Sequence, residues 1–308
     1  MISYSPATNQ STAVYQQQQK EIHIPDEHLR TALQQSLDIR PSAPITETEL
    51  AGLNEFHASG MSITELTGLE HCTNLKELNL SYNTIRDISP LASLTNLERL
   101  NLMGNSISDI SPLAGLTNLE RLYLARNQIS NISALASLTN LDILYLGHNY
   151  SIIDISPLAG LTNLDILYLN ANSIRDISPL AELTKLTHLI LSGNNISDIS
   201  LLAGLTNLED MSLANTNLID ISPLASLTNL EGLDLDDNSI SDISPLAGLP
   251  TLSTVWLKGN ELNSDAHTIH IPALEANDIC VEYDPIPLPA LEDNGIVVAW
   301  IIKEEALS

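Results

Sequence analysis

The chain has 308 residues, of which 44% are hydrophobic and only 4% aromatic, and its 38 acids against 12 bases give a formal charge of −26. That balance argues against nucleic acid, whose binding depends on neutralising phosphates, and against anionic membrane surfaces. No apolar run is long enough for a spanning helix, which needs about 18 residues, so no membrane insertion is expected. Residues 1–20 are polar, include Gln16 to Gln19, and read as disordered. They have neither the basic start nor the apolar core of a signal peptide, so export would need trimming or another route. Residues 21–52 read as a helical N-terminal cap. Ile24-Pro25-Asp26 opens a helical pattern with Leu29, Leu33 and Leu37 at four-residue spacing, and Thr46 with Glu49 has the spacing of a capping box.

Leu53 to Cys72 is a degenerate first coil, with Phe56 and Ala58 at positions that later hold leucine. From Leu75 the pattern L-x-x-L-x-L-x-x-N-x-I-x-D-I-S-P-L-A takes over. It restarts at Leu97, Leu119, Leu141, Leu164, Leu186, Leu208, Leu230 and Leu252, with a step of 22 residues everywhere but one. A fixed period of this kind is a leucine-rich repeat, so residues 53–263 are one degenerate and nine regular repeats of an α/β solenoid.

Within a repeat, Leu100 and Leu102 are two apart and point inward from an extended segment, while Arg99, Asn101 and Met103 point outward. Successive strands should pair in parallel as a concave sheet. A buried Asn has two donors and an acceptor with two lone pairs, so Asn83, Asn105, Asn127, Asn149, Asn172, Asn194, Asn238 and Asn260 should form a ladder. Thr216 replaces one rung and marks a weak coil. Ser111-Pro112 should start a short turn with Ser as N-cap and Pro in the first position. The short period leaves room only for 3₁₀ turns on the convex side. Asp87, Asp109, Asp154, Asp176, Asp198, Asp220 and Asp242, interrupted by Asn131, are expected to accept backbone hydrogen bonds before these turns rather than to collect a cation. One residue is inserted in NYSIIDIS, where Tyr150 should bulge out.

Residues 264–284 read as a C-terminal cap: a helical segment interrupted by Pro272, then a strand in which Ile279, Val281 and Tyr283 alternate. Residues 285–308 are a Pro-rich tail with one candidate strand at Ile296 to Ile302. Cys72 and Cys280 are about nine coils apart, some 40 Å at the spacing of paired strands, and so cannot form a disulfide.

The 22-residue period, the N-x-I-x-D-I-S-P-L-A segment and the lead-in PITETELAGLNEF…ITELTGLEHCTNL resemble those of the internalin family of bacterial surface proteins. The resemblance covers roughly residues 45 to 263 well and the N-terminal helices loosely. It implies a curved, right-handed solenoid whose concave sheet grips a protein partner, with a secreted or cell-surface location; a cytoplasmic location follows if the chain carries no export signal. Phosphatase-regulating repeat proteins share the period, so an intracellular scaffold is the alternative, and a structural spacer in a larger surface protein is a third.

The outward columns give the candidate surface. Tyr123, Tyr145 and Tyr168 stand in adjacent rungs, joined by Ile143, Ile166 and Ile190, as an exposed apolar patch of the kind that marks interaction sites. The plainer reading of the same column is a cross-strand aromatic ladder. Arg99, Arg121 and Arg126 flank it on the N-terminal side, and Asp210, Asp234, Asp236 and Asp237 on the C-terminal side. His188 and Trp256 complete the surface. A protein partner with a complementary dipole is expected, bound by a monomer; aromatic faces also stack on sugars, which leaves a glycan open. Asp234-x-Asp236-x-Asn238 lacks the Gly and Glu of a calcium loop. With no phosphate loop, H-E-x-x-H or G-x-S-x-G, no catalytic residue, cofactor or metal site is expected.

Overall fold

A computed structural model describes residues 20–41 and 43–285. All of the segment read as a disordered start except Lys20, and all of the tail with one candidate strand except Pro285, lie outside the described residues. Eleven three-residue strands form one parallel sheet in chain order. They are β1 (Glu55–His57), β2 (Glu77–Asn79), β3 (Arg99–Asn101), β4 (Arg121–Tyr123), β5 (Ile143–Tyr145), β6 (Ile166–Tyr168), β7 (His188–Ile190), β8 (Asp210–Ser212), β9 (Gly232–Asp234), β10 (Thr254–Trp256) and β11 (Cys280–Glu282). Register is constant, with Leu100 opposite Leu122 and, across the inserted residue, Leu144 opposite Leu167. The central residue of every strand from β1 to β10 is buried and its neighbours face out, as a period of two requires. Short 3₁₀ turns such as Ser111–Gly115 build the opposite wall of the curved solenoid.

The serines of these turns do not act as N-caps. Ser111 is the first residue of its turn and makes no side-chain capping bond. Its N–H donates instead to Oδ1 of Asp109 at 2.8 Å. An aspartate two residues back reaches that N–H through a local side-chain bond before a hydroxyl on the turn itself could serve. Asn131 makes the same bond to Ser133 at 2.9 Å, so amide and carboxylate are interchangeable here.

The asparagine ladder is the internal spine. Asn127 donates from Nδ2 to the carbonyls of Leu102 and Leu124 at 3.0 and 3.1 Å and accepts from the Ile107 N–H at 3.0 Å. Thr216 is fully buried and donates to the Leu213 carbonyl at 2.6 Å. With a single hydroxyl hydrogen it cannot also serve the preceding coil. Thr216→Asn is therefore expected to raise stability by about 1 kcal/mol, the net worth of one regained hydrogen bond, read as a higher urea midpoint at unchanged slope. Asn172 keeps both donor bonds, at 3.1 and 2.9 Å, but its buried Oδ1 has no partner. The residue inserted in the loop before it accounts for this: Tyr150 bulges out, 66% exposed, at φ +64°.

Two further columns lie outside the stencil. The residue just before each rung, from Tyr82 to Gly259, has φ between 52° and 70°, although glycine fills only some of these sites. A second line of asparagines, such as Asn118, ties each coil to the one before through bonds like that to the Thr95 carbonyl at 2.9 Å. Lys185 interrupts it and donates to Asn163 at 2.7 Å.

Helices α1 (Glu27–Ser36) and α2 (Glu47–Ala51) close the N-terminal end, burying Leu29, Leu33 and Leu50. The Thr46–Glu49 capping box is present. Asp26 holds the cap to the solenoid: Oδ1 accepts the Leu29 N–H at 2.9 Å, and Oδ2 accepts the Thr64 N–H and hydroxyl, both at 2.8 Å. Partial burial pushes its carboxyl up, but the bonds from Leu29, Thr64 and Glu65 outweigh this and hold it below the ordinary 3.8. A depressed folded-state value means stability that is present above pH 3.8 and lost as pH falls through the folded value. Acidification below pH 3.8 should thus loosen the cap, and Asp26→Ala should flatten that part of the pH–stability curve. Measurement of urea midpoints between neutral and strongly acidic pH checks this.

At the other end Pro272 does not break the helical segment. It lies in the first turn of α3 (Ile271–Glu275), directly after a π-helical stretch at Ala266–His270. A proline has no N–H to donate back, and the wider π turn absorbs that loss. The strand expected from Ile279 to Tyr283 is β11, which extends the sheet. Cys72 is buried and Cys280 exposed, and both are free thiols.

Candidate partner-binding surface

Strands β3 to β10 bring together the outward residues proposed from the sequence. Arg99, Arg121, Ile143, Ile166, His188 and Asp210 occupy first positions, and Tyr123, Tyr145, Tyr168, Ile190, Asp234 and Trp256 third positions. Asp236 lies off the strand, in the loop after β9. Register sets Arg121 opposite Ile143 and Tyr123 opposite Tyr145, then Ile143 opposite Ile166 and Tyr145 opposite Tyr168.

The aromatic centre is a packed unit. Tyr145 and Tyr168 stack with centroids 4.2 Å apart and planes 11° from parallel, while Tyr123 meets Tyr145 edge-on at 4.9 Å and 89°. Stacking across strands explains why the patch, expected to be exposed, is half-buried: each ring covers its neighbour. Burial, with the adjoining Tyr168 and Tyr123, pushes the Tyr145 hydroxyl up to about 12. It stays protonated at any physiological pH and offers a fixed donor beside apolar faces, as favoured anchors do.

The N-terminal flank is less basic than its sequence suggests. Arg99 pairs with Glu77 at 3.1 Å, and Arg121 faces Asp142 at 3.9 Å. Neighbouring coils supply these carboxylates, an arrangement visible only once the coils are stacked. On the C-terminal flank, His188 meets Asp210 at 3.2 Å. Asp234 accepts the Ser212 hydroxyl at 2.8 Å and Asp236 accepts the Lys258 N–H at 2.7 Å. Burial raises the Asp236 carboxyl against that bond, and the charges of Asp234 and Asp237 add to the rise.

The sequence columns also miss a cluster at the edge of the patch. His148 Nδ1 lies 3.2 Å from the Tyr150 hydroxyl and its Nε2 3.1 Å from Asn170 Nδ2. The inserted tyrosine thus stands one loop beyond Tyr145. The one-residue break in the period was the available signal. Among the described residues no group of three or more His, Cys, Asp or Glu side chains is placed to hold a metal ion, and no helix is long and apolar enough to cross a membrane.

The family model for leucine-rich repeats matches residues 52–93, 95–137, 139–182, 184–226 and 228–267. Among solved structures, an internalin (inlF) from Listeria monocytogenes is similar at a TM-score of 0.68 and 31% identity, over 85% of this chain and 92% of that one. Internalin C2 (inlC2) from the same organism is similar at 0.57 and 35% identity, over 76% and 93%. The ectodomain of the plant membrane receptor kinase GASSHO1/SCHENGEN3 from Arabidopsis thaliana, in complex with Casparian strip integrity factor 2, is similar at 0.59 and 27% identity, over 68% and 27%. The curated protein sequences compared contain no match.

Proposed function

The chain belongs to the leucine-rich repeat family, among its internalin-like members, and from that premise we propose that it is a non-catalytic module that binds a protein on its concave sheet. Leucine-rich repeat proteins are generally protein-interaction modules. The observation that carries the reading is the stacked Tyr145–Tyr168 pair, bordered by Tyr123 and three isoleucines in the middle of the sheet. Large rings held rigid in a shallow concavity lose little freedom when a partner covers them.

The test is an affinity capture from extracellular and cytosolic extracts with two baits, the natural chain and one with Tyr123, Tyr145 and Tyr168 changed to Ala. A partner retained by the first and lost by the second supports the reading, and the extract that supplies it identifies the compartment. Equal retention by two equally folded baits reduces the tyrosines to a structural ladder.

A further inference from the structure

We infer that the partner presents a Lys/Arg-rich segment to the C-terminal half of the concave sheet, over Asp234, Asp236 and Asp237, beside an apolar anchor seated on Tyr145 and Tyr168. The inference rests on the concave-face reading and replaces the symmetric dipole that sequence columns suggest. Stacking of the coils breaks that symmetry. On the N-terminal flank Arg99 and Arg121 face carboxylates from within the chain, Glu77 at 3.1 Å and Asp142 at 3.9 Å, which among the described residues leaves Arg126 alone. On the other flank Asp210 faces His188 and the Lys258 charge lies near Asp236, but among the described residues Asp234, Asp236 and Asp237 form no ion pair. From residue 186 onward the only Lys or Arg residues are Lys258 and Lys303. Lys258 is paired with Glu282, and Lys303 is followed in sequence by Glu304 and Glu305.

Two of these carboxylates, Asp234 and Asp236, are also held in place. Asp234 takes the Ser212 hydroxyl on one oxygen and the Asp236 N–H, at 3.2 Å, on the other. Asp236 takes the Lys258 N–H. Asp237 is exposed beside Gly259, whose φ of +70° favours glycine. Fixed acceptors with lone pairs to spare suit ammonium and guanidinium donors. From Tyr168 in β6 to Asp234 in β9 is three strand spacings, about 14 Å, which an extended peptide crosses in about four residues. The partner segment should carry its basic cluster that far from its apolar anchor.

The experiment pans a random-peptide display library on the full chain. The enriched peptides are then measured against the natural protein and three variants matched for folding by thermal unfolding. These are Asp234→Asn/Asp236→Asn/Asp237→Asn, Tyr145→Ala/Tyr168→Ala, and a charge-matched control, Asp154→Asn/Asp176→Asn/Asp198→Asn. The control removes three charges at the turns, where Asn131 shows that an amide serves. The expected peptides have an apolar block and a Lys/Arg cluster about four residues away. The concave triple variant should weaken them about tenfold or more, and the control less than about twofold. Enrichment of peptides without a basic cluster, no enrichment at all, or equal weakening by both triple variants overturns the inference. Peptides lost on the tyrosine variant but indifferent to the concave aspartates overturn this inference alone. Peptides indifferent to the tyrosines overturn the concave-face reading with it.

Discussion

Replacement of Asn127 by alanine lowers the unfolding free energy by about 2–6 kcal/mol, because a buried polar group left unpaired costs about 1–3 kcal/mol and each of two further lost bonds about 0.5–1.5 kcal/mol. The substitution leaves the N–H of Ile107 unpaired and takes one of two side-chain bonds from each of the carbonyls of Leu102 and Leu124, which keep those from Asn105 and Asn149. The cavity excludes an easy rescue, since the rung is buried between coils whose leucines are fully covered. In a solenoid each coil touches only its neighbours, so the damage should be local before it is global. Hydrogen exchange should quicken first at Ile107 and in strands β3 and β4. Urea unfolding gives the total, and a loss below about 1 kcal/mol would remove the ladder from its place as the spine.

The second large effect is on binding. Tyr145→Ala/Tyr168→Ala should weaken the partner by about 100-fold or more, since truncated aromatic hot spots cost about 2 kcal/mol or more each. Stability should fall far less in proportion. An aromatic pair contributes only about 0.5–1.5 kcal/mol beyond its buried area, and these rings stand half-exposed above a core that they do not enter. Isothermal titration with the captured partner and urea unfolding of the same two proteins separate the terms. Stability lost with affinity kept would mark the column as a ladder alone.

Much of the fold was legible because it repeats. One stencil gives the strands, the inward leucines, the rungs and the outward columns, and β1 was readable from Phe56 and Ala58 despite its degeneracy. The positive-φ column was not legible. Its residues range from Tyr82 and Arg126 to Ala171 and Gly193, because stacking of the coils rather than residue type fixes the backbone there. The turn serines were misassigned for a related reason: Asp109 and Ser111 both offer a side chain, and only geometry decides which one reaches the N–H. At the surface, the identity of the columns was readable by counting. The pairing of Arg99 with Glu77, the mutual burial of the tyrosines and the His148–Tyr150 contact depend on where side chains meet across coils, which periodicity does not specify.

The most direct test of the concave-face account is site-specific photocrosslinking. A benzoylphenylalanine is placed at Ile190, on the border of the tyrosine patch, or at Leu201, exposed on a convex turn. Each protein is irradiated with the captured partner. The account predicts a covalent adduct from position 190 and none from position 201. An adduct from position 201 with none from position 190 would contradict it, and would move the binding surface to the convex side.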